Sequence, residues 1–343
     1  MTPSCEPPTE PDAADISLST PMDLLSAIPY LVGYIPADSL VLVGLDAKQI
    51  TATLRVDLPR TDQPVTKLRI SPDVLRRNKV EAAVIAGYGP PERVTRCVDH
   101  LRRMLAAQNI ELVDALRVTD GTFWSYVCQE PACCPPEGRP VNPGDSPVDA
   151  AFTYAGMRAL PHRQAVTAQL EPVKGPTRAA VTRATNQVRK LLDDTDAMFS
   201  ARETLLDEAR TILAKATEAG APLPEIDQTV RLAAALTDAK LQTEAMTLVD
   251  SHSPHKMVDL WLWVTRHVAP AFRARPAALL GFAAWRCGNG VLATEAVRRS
   301  LTDDPHCPLA MVLGRLLDEG VPPSSIPKIT GELLLPLPCS PAG

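Results

Sequence analysis

The sequence predicts a chain of two parts: an N-terminal domain of the α+β or α/β class, with helices on a mixed sheet, and then an all-α helical array. Three observations predict it. Before residue 172, short runs of β-forming residues alternate with amphipathic helical patterns, as in sheets covered by helices. From residue 177 onward, apolar residues recur with the helical period. The 343 residues also exceed the ~250–300 at which single cores stop growing.

Proline content helps to set the boundaries of these parts. The chain holds 34 prolines in 343 residues, twice the usual ~5%, and many of them lie near its two ends. We therefore expect a disordered N-terminal tail and a proline-rich C-terminal tail. The predicted segments are a tail at 1–20, the α/β domain at 21–171, a linker at 172–176, the helical domain at 177–320 and the second tail at 321–343.

Charge and composition disfavour two classes of partner. The net charge is −5, the isoelectric point is near 5.7 and aromatic residues make up 4%, which is unlike nucleic-acid and membrane-surface binders. The first 20 residues contain no Lys or Arg and no apolar run typical of a secretory signal, and no window reaches the ~18 apolar residues of a membrane span. We therefore expect a cytoplasmic protein with no nucleic-acid or membrane partner. Its eight cysteines are then interpreted as reduced thiols, metal ligands or redox groups.

The first predicted elements are a helix and a β-hairpin. Pro21 can open the helix at its first position, and Pro29 inside it makes the helix short or bent. Gly33 then ends it. The patterns that follow predict a buried strand at 39–45 and a half-exposed strand at 49–58, joined by a three-residue link.

Pro36, Asp38 and Ser39 lie at the corner before the first strand. A carboxylate and a hydroxyl at the edge of a sheet can bind a ligand, but a nucleophilic serine needs a base, and the first histidine is His100. The alternative is that Asp38 and Ser39 use their side chains to hold the backbone of a tight corner. The local hydrogen-bonding tendency of Asp and Ser favours this alternative.

Gly87, Tyr88 and Gly89 form a turn between a predicted strand at 80–86 and a predicted helix at 92–108. Turns at this position in α/β proteins often bind anions. This turn lacks the third glycine of the dinucleotide fingerprint and the lysine of a P-loop, and the two prolines after it remove backbone donors. It is kept as a candidate ligand site. Two further strands are predicted at 110–118 and 122–128.

Cys128, Cys133 and Cys134 lie in or beside a loop rich in Pro, Cys and Gly at 129–147. Thiolates bind zinc, but a structural zinc site needs four ligands and this run supplies three. A labile disulfide between Cys128 and Cys133 or Cys134 would also fit the pattern, and so would three free thiols. No cofactor is expected from the chain as a whole, and zinc is the one candidate. The fourth ligand would come from Cys97, His100 or His162.

The helical half contains one repeat-like spacing and a pair of tryptophans. The spacing resembles the tetratricopeptide pattern, with Gly288 where such repeats turn between two helices. Its positions are Ala277, Leu280, Gly281, Ala284, Ala293, Val297, Ser300 and Pro305. Trp261 and Trp263 are two residues apart on a helix whose predicted cap is Ser253, so they cannot both face the protein core. One of them can therefore anchor a partner. We therefore expect a helical repeat with a protein-binding groove.

Four motifs occur together along the chain. They are the stretch AIPYLVGYIPADSLVLVGL at 27–45, DGTFW at 120–124, the cysteine loop with its CCP sequence and GVPP at 320–323. The combination resembles an uncharacterised bacterial family, one of the numbered domains of unknown function from GC-rich Gram-positive bacteria. The resemblance covers about residues 20–325 and implies a cytoplasmic protein with an α/β first half. It implies no activity, cofactor or catalytic residue.

Two functions follow from these patterns. The favoured one is a non-enzymatic binding or scaffold protein that uses its helical half to hold a protein partner. The alternative is an enzyme or small-ligand-binding module with its site in the α/β half. The sequence leans away from an enzyme because no paired acid and base motif is found along it.

Overall fold

A computed structural model describes residues 18–329, apart from 48, 69, 142–145, 155–156, 195–197, 219 and 253. Most of both predicted tails and the predicted helix cap Ser253 therefore lie outside the described residues. The chain divides into two compact units between Ala165 and Val166. The predicted fold class is confirmed, since a mixed sheet with helices precedes an all-helical region.

The first unit is built around a six-stranded sheet in the order β2-β1-β3-β4-β5-β6. The β3–β4 pair is parallel and the other neighbouring strands are antiparallel. The elements are α1 (Pro21–Val32), β1 (Ser39–Asp46), β2 (Gln49–Asp57), α2 (Pro72–Arg77), β3 (Ala82–Tyr88), α3 (Pro91–Ala107), β4 (Glu111–Thr119), β5 (Thr122–Ser125), β6 (Arg139–Pro140), α4 (Pro147–Tyr154) and α5 (Arg163–Gln169), the last of which crosses the division.

Helix α1 shows how local sequence sets an element. The backbone N–H of Asp23 donates to the Thr20 hydroxyl (3.1 Å), and the Asp23 carboxylate accepts from the Thr20 backbone N–H (3.0 Å). This reciprocal pair satisfies donors that the first turn would otherwise leave unpaired. The helix continues past Pro29 and ends at Gly33, whose φ of 88° is the left-handed conformation that glycine adopts readily.

The core of the first unit lies between the sheet and helices α2 and α3. Strand β1 is buried over its first six residues because β2 and β3 pair with it on both sides. The apolar face of α3 closes the core from above, as its predicted stripe indicates. The most buried core side chains from these elements are Leu40, Leu42, Leu75, Ile85, Val94, Val98, Leu101 and Leu105.

Two predicted boundaries differ from the structure. The strand predicted at 122–128 ends at Ser125, because the Ser125 hydroxyl accepts from the backbone N–H groups of Val127 (3.1 Å) and Cys128 (2.9 Å) and draws them out of the ladder. The linker predicted at 172–176 overlaps a helix that begins at Gly175. Proline at the first turn of a helix is favoured, and Pro176 occupies that turn.

The second unit is helical throughout its described residues. Helix α11 lies at its centre and packs against α8, α9, α10, α12 and α13. The elements are α6 (Gly175–Asp193), α7 (Met198–Ala216), α8 (Ile226–Ala235), α9 (Ala239–Ser251), α10 (Pro254–Arg266), α11 (Pro270–Arg286), α12 (Gly290–Asp303) and α13 (Pro308–Asp318). Among the residues that the structure describes, no helix has the length and apolar character needed to cross a membrane.

Small residues bring α11 and α12 close together. A Cβ atom at Gly281 would lie 3.1 Å from Cγ2 of Val297, and Gly288 turns the chain between the two helices at a φ of 75°. Two small-faced helices thus pack where the repeat-like spacing was found. The repeat architecture itself stays a prediction.

Candidate functional site

The three loop cysteines come together in space. Their Sγ atoms all lie within 4.8 Å of one another. Cys133 is exposed, Cys128 and Cys134 are partly exposed, and all three are free thiols. In the described part of the chain this is the only group of three or more His, Cys, Asp or Glu side chains that can hold a metal ion.

Backbone hydrogen bonds explain why the loop brings the cysteines together. The Glu130 carbonyl accepts from the backbone N–H of Cys133 (3.0 Å) and of Cys134 (2.7 Å), which folds the loop back toward Cys128. The Ser125 hydroxyl donates to the Asp114 carboxylate (2.6 Å) while it accepts from the Cys128 N–H. The start of the loop is thus tied to strand β4.

The far side of the loop is also held. The indole N–H of Trp124 donates to the Pro136 carbonyl (3.1 Å), and the Arg139 guanidinium donates to the Ala132 carbonyl (2.7 Å). Gly138 has a φ of 81°, and a Cβ atom there would lie 2.6 Å from the Trp124 ring. Only glycine fits this approach without a shift of the chain. The cysteine loop is therefore fixed at both ends.

The electrostatics of the three thiols are unequal. The backbone N–H of Glu130 donates to the Cys128 sulfur, and this bond with a bond from Cys134 lowers the pKa of the Cys128 thiol. Desolvation raises the pKa of Cys134, and so do its bonds and charge interactions with Cys128 and Cys133. One sulfur therefore favours the thiolate while its neighbour retains its proton. A bound cation would favour the thiolate at both.

None of the three predicted fourth ligands joins this group. Cys97 lies on α3 and is buried in the core. His100 and His162 are absent from the metal-binding group that the described residues form. The structure therefore brings together the three predicted cysteine ligands and adds no fourth from these positions.

The corner at Asp38 is tied to two other elements by one arginine. Asp38 has a φ of 43°, and its carboxylate lies 2.5 Å from Nη1 of Arg93 on α3. Arg93 also donates to the carbonyls of Leu58 (2.8 Å) and Pro59 (3.1 Å), and the Leu58 N–H donates to the Asp38 carbonyl (2.9 Å). The Asp38 carboxylate is thus linked to the corner through Arg93, and it is the Asp38 backbone carbonyl that accepts from Leu58.

Ser39 does not share that role. It is fully buried at the start of β1, and its hydroxyl has no hydrogen-bond partner among the described residues. A buried hydroxyl without a partner is costly, which makes it a place where a ligand or water would be stabilised. Pro36 is buried beside it in sequence.

The predicted turn at 87–89 is mostly strand, because Gly87 and Tyr88 pair on both sides and form the end of β3. This end lies next to the corner because the start of β1 pairs with it. Ser39 is opposite Tyr88 in the ladder. The Gly89 N–H donates to the Val118 carbonyl (3.0 Å), and its carbonyl accepts from the Thr119 hydroxyl (2.7 Å). The backbone donor that an anion would use at Gly89 is therefore already engaged.

Gly87 and Tyr88 have separate roles at the end of β3. A Cβ atom at Gly87 would lie 2.4 Å from Cγ1 of Val94, so glycine is needed for α3 to pack on the sheet. The Tyr88 hydroxyl is buried without a partner among the described residues, and burial raises its pKa. The corner before β1 and the end of β3 thus lie side by side, where these two strands meet one edge of the sheet. The cysteine loop follows β5, two strands beyond β3, and is a separate candidate site.

The second unit contains a surface built around Trp263. Trp261 is fully buried, whereas Trp263 is partly exposed, so the two tryptophans divide between core and surface as predicted. The Trp263 indole N–H donates to the Pro224 carbonyl (3.1 Å) and its ring stacks on His267 with centroids 3.6 Å apart. Leu223 and Trp263 together line two cavities of about 380 and about 610 Å³.

Sequence reasoning missed Arg93 and the Ser125–Asp114 pair. A serine three residues before a cysteine at the end of a strand is a local signal for a side chain that caps the backbone. Arg93 has no such signal, because its three partners lie 34, 35 and 55 residues away in sequence.

Comparison with known proteins identifies a family for most of the chain. A family model with the description Domain of unknown function (DUF4192) matches residues 21–324, which is most of the chain. No curated protein and no solved structure matches it.

Proposed function

The chain belongs to the DUF4192 family, and on that premise we propose that it is a binding or scaffold protein whose helical unit holds a protein partner. The observation that carries the proposal is the exposed Leu223, which together with Trp263 lines both cavities. Tryptophans with one solvent-exposed face are common anchors in protein interfaces. We also propose a cytoplasmic location, where reduced thiols persist, in keeping with the six free cysteines described.

The rim of the smaller cavity indicates the chemistry of the partner. Leu260 and Trp263 form apolar walls, while Lys256, Asp259 and Arg266 bring charges of both signs to the lining. A segment with one large apolar side chain between charged residues would match it. Close packing of small-faced helices supports an array that presents such a surface without catalysis.

Quantitative affinity capture with matched variants tests the proposal. Leu223→Glu places a charge in the lining of both cavities, at a side chain that is 45% exposed, so folding is preserved. Met311→Glu is a control at a side chain that is 42% exposed on α13. A protein enriched by wild type and by Met311→Glu, and lost with Leu223→Glu, is the expected result. The same proteins captured by all three chains would contradict the proposal.

A second candidate function is a ligand-binding or catalytic module in the first unit, with zinc as its cofactor. The three sulfur atoms within 4.8 Å favour it. The sheet edge with Asp38 and the unpartnered Ser39 hydroxyl supplies a further polar site. Small-molecule thermal-shift screening of wild type and Ser39→Ala tests that edge. A ligand that stabilises both chains equally would exclude Ser39 from binding.

A further inference from the structure

We propose that Cys128, Cys133 and Cys134 bind one zinc ion as three thiolates and leave its fourth coordination position to an exchangeable ligand, a water that an external thiol can replace. This rests on the second candidate function for the choice of zinc. It adds that the fourth position is open, and an external thiol is the probe for it.

The spacing of the sulfur atoms fits a zinc ion. Zinc binds cysteine sulfur at ~2.3 Å in tetrahedral geometry, which places the ligating sulfurs about 3.8 Å apart. The observed separations are at most 4.8 Å, so rotation of thiol side chains closes the remaining distance. The backbone that carries two of the three ligands is held in place, because the amides of Cys133 and Cys134 donate to the Glu130 carbonyl.

The charge of the site favours a soft dication. Each thiol that binds releases its proton to solvent, so three thiolates and Zn²⁺ give a complex with one net negative charge. Thiolates select zinc over the hard cations Mg²⁺ and Ca²⁺, which prefer oxygen.

A zinc ion on these three sulfurs would keep its fourth position open to solvent. No fourth His, Cys, Asp or Glu side chain joins the cluster in the described ranges of the chain. Cys133 is exposed, so solvent reaches the sulfurs directly. Structural zinc sites close their coordination sphere with four protein ligands, whereas three protein ligands leave a position for water or another small ligand.

A second layer of contacts positions the ligands. Ser125 accepts from the Cys128 N–H and donates to Asp114, so it fixes where the first ligand leaves the sheet. Loss of such outer contacts typically weakens metal affinity 10–100-fold. Ser125→Ala should therefore keep the stoichiometry of zinc and weaken its affinity by about 10-fold or more, as measured by chelator competition. An unchanged affinity would remove Ser125 from the site.

Metal content of the full chain tests the site. The protein is purified under reducing conditions, loaded with zinc, freed of excess metal and analysed for zinc per chain. We expect one zinc ion in wild type and in the control Cys287→Ser, a partly exposed cysteine outside the cluster. Each of Cys128→Ser, Cys133→Ser and Cys134→Ser should lose it while circular dichroism stays unchanged. Equal zinc in all chains, or a Cys128 disulfide in freshly isolated protein, would overturn the site.

Cobalt in place of zinc tests the open position. The Co²⁺ form should show thiolate-to-metal charge transfer and tetrahedral ligand-field bands, and the bands should shift when 2-mercaptoethanol is added. If the absorption bands do not change when the thiol is added, the chain itself fills the fourth position. Loss of zinc in Cys5→Ser or Cys339→Ser would mean the same. That result overturns the open site and leaves zinc binding intact, so the two failures are distinguishable.

Discussion

At the scale of single residues, the sheet edge depends on Arg93. Its side chain is only 20% exposed and donates to groups at the start of β1 and after β2. A fork of donors that reaches a carboxylate and two carbonyls cannot be replaced by a lysine, which has a single nitrogen. One arginine thus joins three elements that are distant in sequence.

Removal of this arginine should destabilise the first unit. In Arg93→Ala, the carbonyls of Leu58 and Pro59 lose their donor, so we expect a loss of about 2 kcal/mol in the free energy of unfolding. Arg60→Ala, at a side chain that is 77% exposed, should change it by less than about 0.5 kcal/mol. Urea unfolding followed by circular dichroism measures both. Equal effects of the two variants would show that the contacts of Arg93 do not stabilise the fold.

His267 makes the stability of the second unit depend on pH. Burial lowers the pKa of His267 below its ordinary value of 6.5, Arg266 lowers it further, and only the Trp263 carbonyl opposes this. As the pH falls through the unfolded value, the unfolded chain binds a proton before the folded one does, so stability is lost on acidification. It is fully present above about pH 7.

A substitution isolates this contribution. His267→Gln removes the titrating group, so between about pH 7.5 and about pH 5.5 wild type should lose more stability than the variant, by up to about 1 kcal/mol. Urea midpoints at the two pH values give the comparison. Parallel losses in the two chains would assign the pH dependence to other groups.

At the scale of elements, close packing of α11 on α12 stabilises the second unit. Gly281 is confined by Val297 and by the Ala293 carbonyl, which would lie 3.4 Å from an added Cβ. Gly281→Leu forces the two helices apart and should cost about 2–3 kcal/mol. Gly290→Leu is the control, since nothing lies within 4 Å of a Cβ there. Denaturant unfolding distinguishes them, and similar midpoints would mean that the interface absorbs the larger side chain.

An element could be predicted from the sequence where the period of its apolar residues and its capping residues indicate the same boundaries. Helix α3 was predicted at 92–108 and lies at Pro91–Ala107, because its apolar stripe is strong and prolines mark its start. The position of β6 was not predictable, since two residues that pair with β5 have no pattern of their own. The meeting of three cysteine sulfurs depends on bonds from Glu130 and Ser125 that spacing does not encode.

At the scale of the whole molecule, part of the predicted C-terminal tail belongs to the second unit. The Arg286 guanidinium donates to the carbonyls of Pro323, Ile326 and Pro327, each at 2.9 Å, and pairs with the buried Asp250. Composition predicts a tail there because prolines dominate it. A proline-rich segment has free carbonyls, however, and they accept from the guanidinium N–H groups that remain after Arg286 has paired with Asp250.

Two truncations test whether this segment stabilises the helical unit. A chain ending at Gly320 loses the three acceptors of Arg286 and the Ile329 N–H that donates to Asp250 (2.7 Å), so it should lose about 2–4 kcal/mol. A chain ending at Ile329 keeps all of these bonds and should match the full chain in urea unfolding. If both truncations unfold at the full-length midpoint, the ion pair of Arg286 and Asp250 is satisfied without the segment. The residues after Gly320 would then add nothing to the free energy of unfolding, as their tail-like composition suggests.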